Sequence, residues 1–353
     1  MHSDELAVPK SIPSRKKIGV LLVNLGTPED TDYWSVRRYL KEFLSDRRVV
    51  ETSPLIWWPI LNLAILSIRP QRSGKSYRKV WNTGRNESPL KTITRAQADA
   101  LTAWVDGGGL AEESGSGPAI SVAWAMRYGL PSIAQEIARL TDEGCDRLLV
   151  VPLYPQYSAT TTATAGDAVF AALERQRFQP ALRIAPPYYD DPVYIEALAA
   201  SLHKALAGLA FTPDVILVSF HGIPKAYADK GDLYPLHCEE TFSLLAKALG
   251  SAPGTLRMSY QSRFGATEWL QPYTDKTVIA LAREGVKNLA VMTPGFSADC
   301  LETLQEINIE NRHFFCENGG ENFALIPCLN ASAEGMKLIF HLVARELSGW
   351  LRG

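Results

Sequence analysis

EGCDRLLVVPLYPQYS (residues 143–158) and EGVKNLAVMTPGFSAD (residues 284–299) align without a gap, each a helix end, an apolar run and a loop. Two further pairs keep the same order within the halves: VNLGTPE (23–29) with SFHGIPK (219–225), and MRYG (126–129) with SRFG (262–265). Similarity repeated in order marks a duplicated structural unit. Working outward, continuous apolar runs bounded by Gly and Pro fall at 18–25, 120–124, 148–153, 215–220 and 289–293. Such runs are strands covered on both faces. Amphipathic stretches at 132–143, 194–209, 239–249 and 275–284 lie between them. The alternation predicts an α/β chain of two similar Rossmann-like, doubly wound domains with parallel sheets, residues 17–185 and 186–353. The joint is the stretch 180–191, rich in Pro and Tyr. Ligands of such sheets sit beyond the carboxyl ends of the strands, so chemistry is expected in the loops that follow them.

Composition narrows the partners. The chain has 36 Lys and Arg against 38 Asp and Glu, a formal charge of −2, which offers no field for a polyanion and argues against nucleic acid. Residues 1–17 mix charges and prolines without the apolar core of a secretory signal, which points to the cytoplasm. Five cysteines (Cys145, Cys238, Cys300, Cys316, Cys328) form no C-x-x-C pair, so reduced, mostly buried thiols are expected in place of a zinc knuckle or disulfide framework. The Gly- and Ser-rich stretch 107–117 reads as a surface loop.

PLIWWPILNLAILSI (54–68) is uncharged, shorter than the roughly 20 residues of a membrane-spanning helix, and interrupted by Pro59, which is expected to break the helix and allow movement. It is either a buried helix or an apolar lip that touches lipid or a greasy ligand. Trp57, Trp58 and the following Arg69, Arg72, Lys75, Arg78 and Lys79 favour the lip, with the basic residues meeting anionic headgroups at the inner face of the membrane.

His221 directly follows the apolar run VILVSF and precedes Gly222 and Pro224. A lone histidine is commonly structural, but a strand-end position aims this one into the cleft between domains. After the run 289–293, Asp299, Glu302, Glu306 and Glu310 recur every three or four residues. On a helix Glu302 and Glu306 share a face and Asp299 can serve as its N-cap; a solvated acidic face is the alternative. Histidine opposite a file of carboxylates suits extraction of protons from a weak acid, or transient handling of a divalent metal. No Gly-x-Gly-x-x-Gly follows the first strand and no P-loop is present.

LLVNLGTPED, YPQYSATTT, SFHGIPKAYADKGDLYP, YQSRFGATEWLQPYTD and FSADCLETLQEI, in this order from Lys17 onward, resemble the ferrochelatases. The resemblance implies a class II chelatase-like fold, a porphyrin cleft between the domains, and insertion of ferrous iron into protoporphyrin IX to form protohaem, the terminal step of haem biosynthesis. Protoporphyrin IX and ferrous iron are then the substrates. It implies that His221 and Glu302 are the catalytic pair and transient ligands of the substrate iron, that Glu306, Glu310 and Asp299 continue an acidic path, and that Arg127, Tyr128, Tyr157, Trp269 and Phe296 line the porphyrin pocket. Arg127, Arg37 or Lys41 could pair with the propionates. Cys300 stands where animal ferrochelatases have a histidine. Their cluster-binding cysteine-rich tail has no counterpart before Gly353, so no resident cofactor and no iron–sulfur cluster are expected. A coproporphyrin-using relative, a chelatase for another tetrapyrrole and a non-catalytic haem-binding protein remain the alternatives.

Overall fold

The computed structural model describes residues 17–351 apart from 111–117, 251, 253 and 266, so residues 1–16 and most of the loop expected at 107–117 lie outside it. The apolar runs become the parallel strands β1 (Lys17–Gly26), β2 (Ala119–Tyr128), β3 (Arg147–Pro152), β5 (Val215–His221) and β7 (Asn288–Met292). β4 (Ala181–Ile184), β6 (Leu256–Gln261) and β8 (Asn322–Leu325) complete two four-stranded sheets, ordered β2-β1-β3-β4 and β6-β5-β7-β8. The sheets therefore repeat one topology, with the order reversing between β1 and β3 and again between β5 and β7. Neighbouring strands run parallel throughout. β4, β6 and β8 escape sequence reading: β4 and β8 are four-residue edge strands too short to show a period, and the edge strand β6 alternates apolar and polar residues (LRMSYQ) and so forms no continuous apolar run.

Helices cover both faces of each sheet, as a parallel sheet requires. Ile133–Asp142 and Thr164–Glu174 bury Ile133, Ile137, Val169 and Leu173 on one side of the first sheet. On its other side Pro89–Asp106 is joined by the last helix, Ala333–Leu347, whose Met336, Ile339, Val343 and Leu347 pack with Ile18, Val20 and Leu22 of β1. The last described helix thus returns to the first sheet. The same helix turns Leu338 and Leu342 toward Pro192–Ala207 in the core of the second sheet. Ser132 opens its helix with a reciprocal capping box to Gln135, which fixes where the loop after β2 ends.

Pro59 does not break the lip. Pro54–Pro59 continues through Ile60–Ile65, where hydrogen bonds run i to i+5, into Leu66–Val80. The wider turn beginning at Ile60 accommodates the proline, which has no N–H to donate and whose ring crowds the preceding turn. Leu61 and Leu66 are buried with Val36, Leu40 and Leu44 of the helix Tyr33–Ser45, whereas Leu55 (89% exposed), Leu63 (73%) and Trp58 (64%) face outward. Trp57 points in and donates its indole N–H to the Leu44 carbonyl at 2.7 Å, so it anchors the segment. Among the described residues, no helix is long and apolar enough to cross a membrane.

Candidate active site

The order reversal between β5 and β7 predicts a crevice at their carboxyl ends, and His221, the last residue of β5, stands there. Its Nδ1 lies 2.6 Å from the Gly222 carbonyl. Donation from Nδ1 to that oxygen leaves the Nε2 lone pair free in the neutral ring. Burial pushes the imidazole below its ordinary 6.5, while the charge of Glu302 and the bond to Gly222 act the other way. The walls are aromatic: Trp269 and Phe296 lie 6.5 and 6.3 Å from the His221 ring, centre to centre. Gly222 permits this approach, since a Cβ there would lie 3.0 Å from the Gln261 carbonyl oxygen and 3.2 Å from the Trp269 ring.

The acidic file does not stand on an ordinary α-helix. Glu302–Asn311 hydrogen-bonds i to i+5, a rare register that is frequent at functional sites. In this wider coil Glu302, Glu306 and Glu310, four apart, grade from the cleft to an exposed end. The Glu302 backbone carbonyl accepts from Gln261 Nε2 at 3.1 Å, which ties the start of the coil to the end of β6. Glu306 accepts from both the backbone N–H and the hydroxyl of Ser262. Ser262 holds φ 66°, a left-handed conformation rare for a residue with a side chain, and so turns both donors onto one carboxylate. Burial nevertheless raises the Glu306 carboxyl to about 7. Glu310 accepts from Gln305 at 2.7 Å.

Asp299 neither caps this coil nor joins the file. The residue before the coil is Leu301, with no side-chain cap. The buried Asp299 carboxylate accepts from Thr303 Oγ1 at 2.9 Å and from Asn330 Nδ2 at 2.6 Å, pinning the loop after β7 to the loop before the last helix. Arg127 is likewise engaged: it pairs with Asp46, donates to the Thr164 carbonyl at 2.8 Å, and lies 4.3 Å from the Tyr128 ring centre. Tyr128, fully buried, donates to the same Asp46 carboxylate at 2.9 Å. Arg127 and Asp46, with Arg38, Lys41, Glu42 and Ser45, border a surface depression of about 560 Å³. Tyr157 is half-buried in the loop after β3.

The structure adds residues that sequence reading missed. Arg69 belongs to the basic run assigned to headgroups, yet it turns inward, with one guanidinium NH₂ (Nη1) buried and unpartnered. Its guanidinium lies 4.2 Å from the centre of the Phe264 ring, and Glu302, Tyr39 and Tyr77 offer it compensating charge or dipole against a pKa lowered by burial. Tyr39 and Tyr77 are themselves held neutral by burial beside Glu302. The helix Leu66–Val80 packs on the acidic coil and so brings this cluster over the cleft. No sequence signal separates Arg69 from its neighbours, because Pro70 and the wider turn before it reset the helical phase.

The chain matches the family model described as Ferrochelatase over residues 17–347. It is 58% identical over 342 residues to the ferrochelatase of Methylocella silvestris, covering 97% of each chain. It is 57% identical to those of Nitrobacter hamburgensis (96% of this chain, 95% of the relative) and Brucella ovis (95% and 93%). Among solved structures it resembles the Bacillus subtilis SirB bound to Fe3+, with a TM-score of 0.52 at 10% identity over 95% of this chain and 98% of that one. A multi-domain Deinococcus radiodurans protein with structural similarity to chelatases gives 0.53 at 12% identity over 93% and 55%. At such identities these two establish the fold alone.

Proposed function

The chain belongs to the ferrochelatase family, an enzyme that inserts ferrous iron into protoporphyrin in haem synthesis, and on that premise we propose how its own residues perform the reaction. Insertion removes two protons from the pyrrole nitrogens and strips water from the cation. A neutral imidazole whose Nε2 is left free by the Nδ1 bond to Gly222 is suited to the first task, and this arrangement of His221 is the observation that carries the reading. Trp269 and Phe296 hold the macrocycle against it and exclude water, so binding energy from the ring supports the bent geometry in which nitrogen lone pairs are exposed.

Glu302 faces the imidazole and attracts the cation; together the two offer one nitrogen and one carboxylate as passing ligands to the substrate iron. Glu306, with its carboxyl near 7, exchanges a proton readily at neutral pH, and the exposed Glu310 completes a route to solvent. Asp299 serves as a brace for the loop that carries Phe296. Arg69, with its unpartnered buried nitrogen, is the cation placed to receive a porphyrin propionate. Arg127 is already paired, so it and Tyr128 shape the wall, and Tyr157 adds to it from the loop after β3. The protein works without an iron–sulfur cluster. Leu55, Trp58 and Leu63 form the outward face of a lip that rests on lipid at the inner face of the membrane and admits the apolar porphyrin.

The test is anaerobic addition of ferrous iron and protoporphyrin with the absorption spectrum followed. Conversion of the free-base bands to the protohaem spectrum with turnover is expected. Stoichiometric haem binding without turnover would contradict the enzyme reading, and strong preference for coproporphyrin would contradict the substrate.

A further inference from the structure

The loop after β3 belongs to the first sheet, yet consecutive residues of it are gripped by the second. Gln156 Nε2 donates to Thr241 Oγ1 at 3.1 Å and lies 3.4 Å from the Tyr194 hydroxyl, which in turn donates to the Pro294 carbonyl at 2.6 Å. Ser158 Oγ and the Ala159 N–H both reach Asp232 Oδ2, at 2.9 and 2.8 Å. Between them, the backbone N–H of Tyr157 donates to Nδ1 of His237, on the helix Tyr234–Leu249, at 3.1 Å. The His237 ring is stacked on Tyr189 with centres 3.6 Å apart and planes 12° from parallel, which fixes the plane in which Nδ1 meets the Tyr157 N–H. The Tyr194–Pro294 bond links the same clasp to the loop carrying Phe296.

We propose that His237 is a positioning residue for porphyrin binding: its neutral Nδ1 holds Tyr157 against the pocket, and protonation of the ring releases it. The proposal rests on the reading of Tyr157 as pocket wall. The chemistry follows from the hydrogen-bond inventory, because imidazolium carries a proton on both nitrogens and would set an N–H against the Tyr157 N–H. Asp190 and Asp232 face the ring and favour its charged form, and Glu240 lies beyond Tyr189; burial acts against them and keeps the imidazole below its ordinary 6.5. The clasp is therefore closed at neutral and alkaline pH and opens as pH falls below 6.5.

Two variants separate acceptor from packing. His237→Phe keeps the stack and loses the acceptor; His237→Asn offers an amide oxygen near the Nδ1 position and does not titrate. At pH 8, His237→Phe should raise the porphyrin KM by about 3- to 10-fold, the worth of one hydrogen bond, with kcat changed less than about twofold. His237→Asn should stay near the wild-type KM at pH 8 and lose less affinity than wild type on going to pH 5.5. In the unaltered enzyme the Tyr157 amide, corrected for intrinsic rate, should exchange faster at pH 5.5 than at pH 8. This arm decides the matter if His237→Phe does not fold. A folded His237→Phe with unchanged KM, an Asn variant no better than Phe, or pH-independent Tyr157 protection would overturn the proposal. Tyr157→Ala distinguishes its premise: if that variant raises KM and His237→Phe does not, the clasp alone fails, and if neither does, the placement of Tyr157 fails with it.

Discussion

At the scale of single residues the proposed chemistry turns on protonation. In the proposed role His221 must be a free base to accept a pyrrole proton, and burial places its titration below 6.5, so activity should be retained at neutral pH and lost as pH falls through that lowered value. Glu306, near 7, would overlay a second titration; in Glu306→Gln the acid limb of kcat/KM should lie wholly below 6.5, and a limb remaining at 7 or above would assign it to another group. Glu302→Gln should lose most activity, because the amide carries no charge to attract a cation, while Glu306→Gln is milder. The same Glu306 substitution should stabilise the protein. A carboxyl raised from 4.5 to about 7 burdens the folded state when ionised, a cost on the order of 1–3 kcal/mol that is present in full above 7 and absent below 4.5. The gain in Tm of Glu306→Gln over wild type should thus be larger at pH 8 than at pH 5; an equal or reversed difference would contradict the assignment. His221 was legible from the sequence because a strand end announces itself by an apolar run that stops. Arg69 and Ser262 were not, since one depends on helical phase and the other on a positive φ that no residue type other than Gly or Asn signals.

Among elements, Ile60–Ile65 of the lip and the acidic coil share the i to i+5 register, where the sequence pattern predicts a broken helix and an ordinary α-helix. The composition of 54–68 allowed a buried helix or an apolar lip and favoured the lip, but did not show which side chains form its outer face: Trp57 turns inward before the wider turn, and Leu63 within it faces outward. Leu55→Ser, Trp58→Ser and Leu63→Ser together should weaken binding to liposomes containing anionic lipid and raise the protoporphyrin KM, with Tm nearly unchanged because these side chains pack on little. Leu61→Ser, buried in the same segment, should instead destabilise the protein by about 2–5 kcal/mol. Unchanged membrane binding and KM in the triple variant would remove the lip from the account.

For the whole molecule, the duplicated pattern in residues 143–158 and 284–299 carried the sheet topology, since both copies became a strand between its neighbours in the same order. The return of the last helix to the first sheet was not legible, because Ala333–Leu347 is apolar on faces that suit either core. Leu347→Ala should cost about 2–5 kcal/mol and lower stability in a single transition, as the helix ties the two sheets together. The cysteines are dispersed: Cys145 and Cys238 lie in different cores, Cys316 is exposed, and Cys300 and Cys328 neighbour each other by the cleft. Four thiolates are not gathered, and the purified protein should contain no stoichiometric acid-labile sulfide. The proposed mechanism divides the work, with porphyrin binding by the walls and proton removal by one imidazole. Porphyrin affinity and single-turnover iron insertion, measured side by side on His221→Ala, test that division most directly. The variant should fold and bind protoporphyrin with close to the wild-type Kd while inserting iron at least about 100-fold more slowly; insertion at the wild-type rate by the porphyrin-bound variant would contradict it.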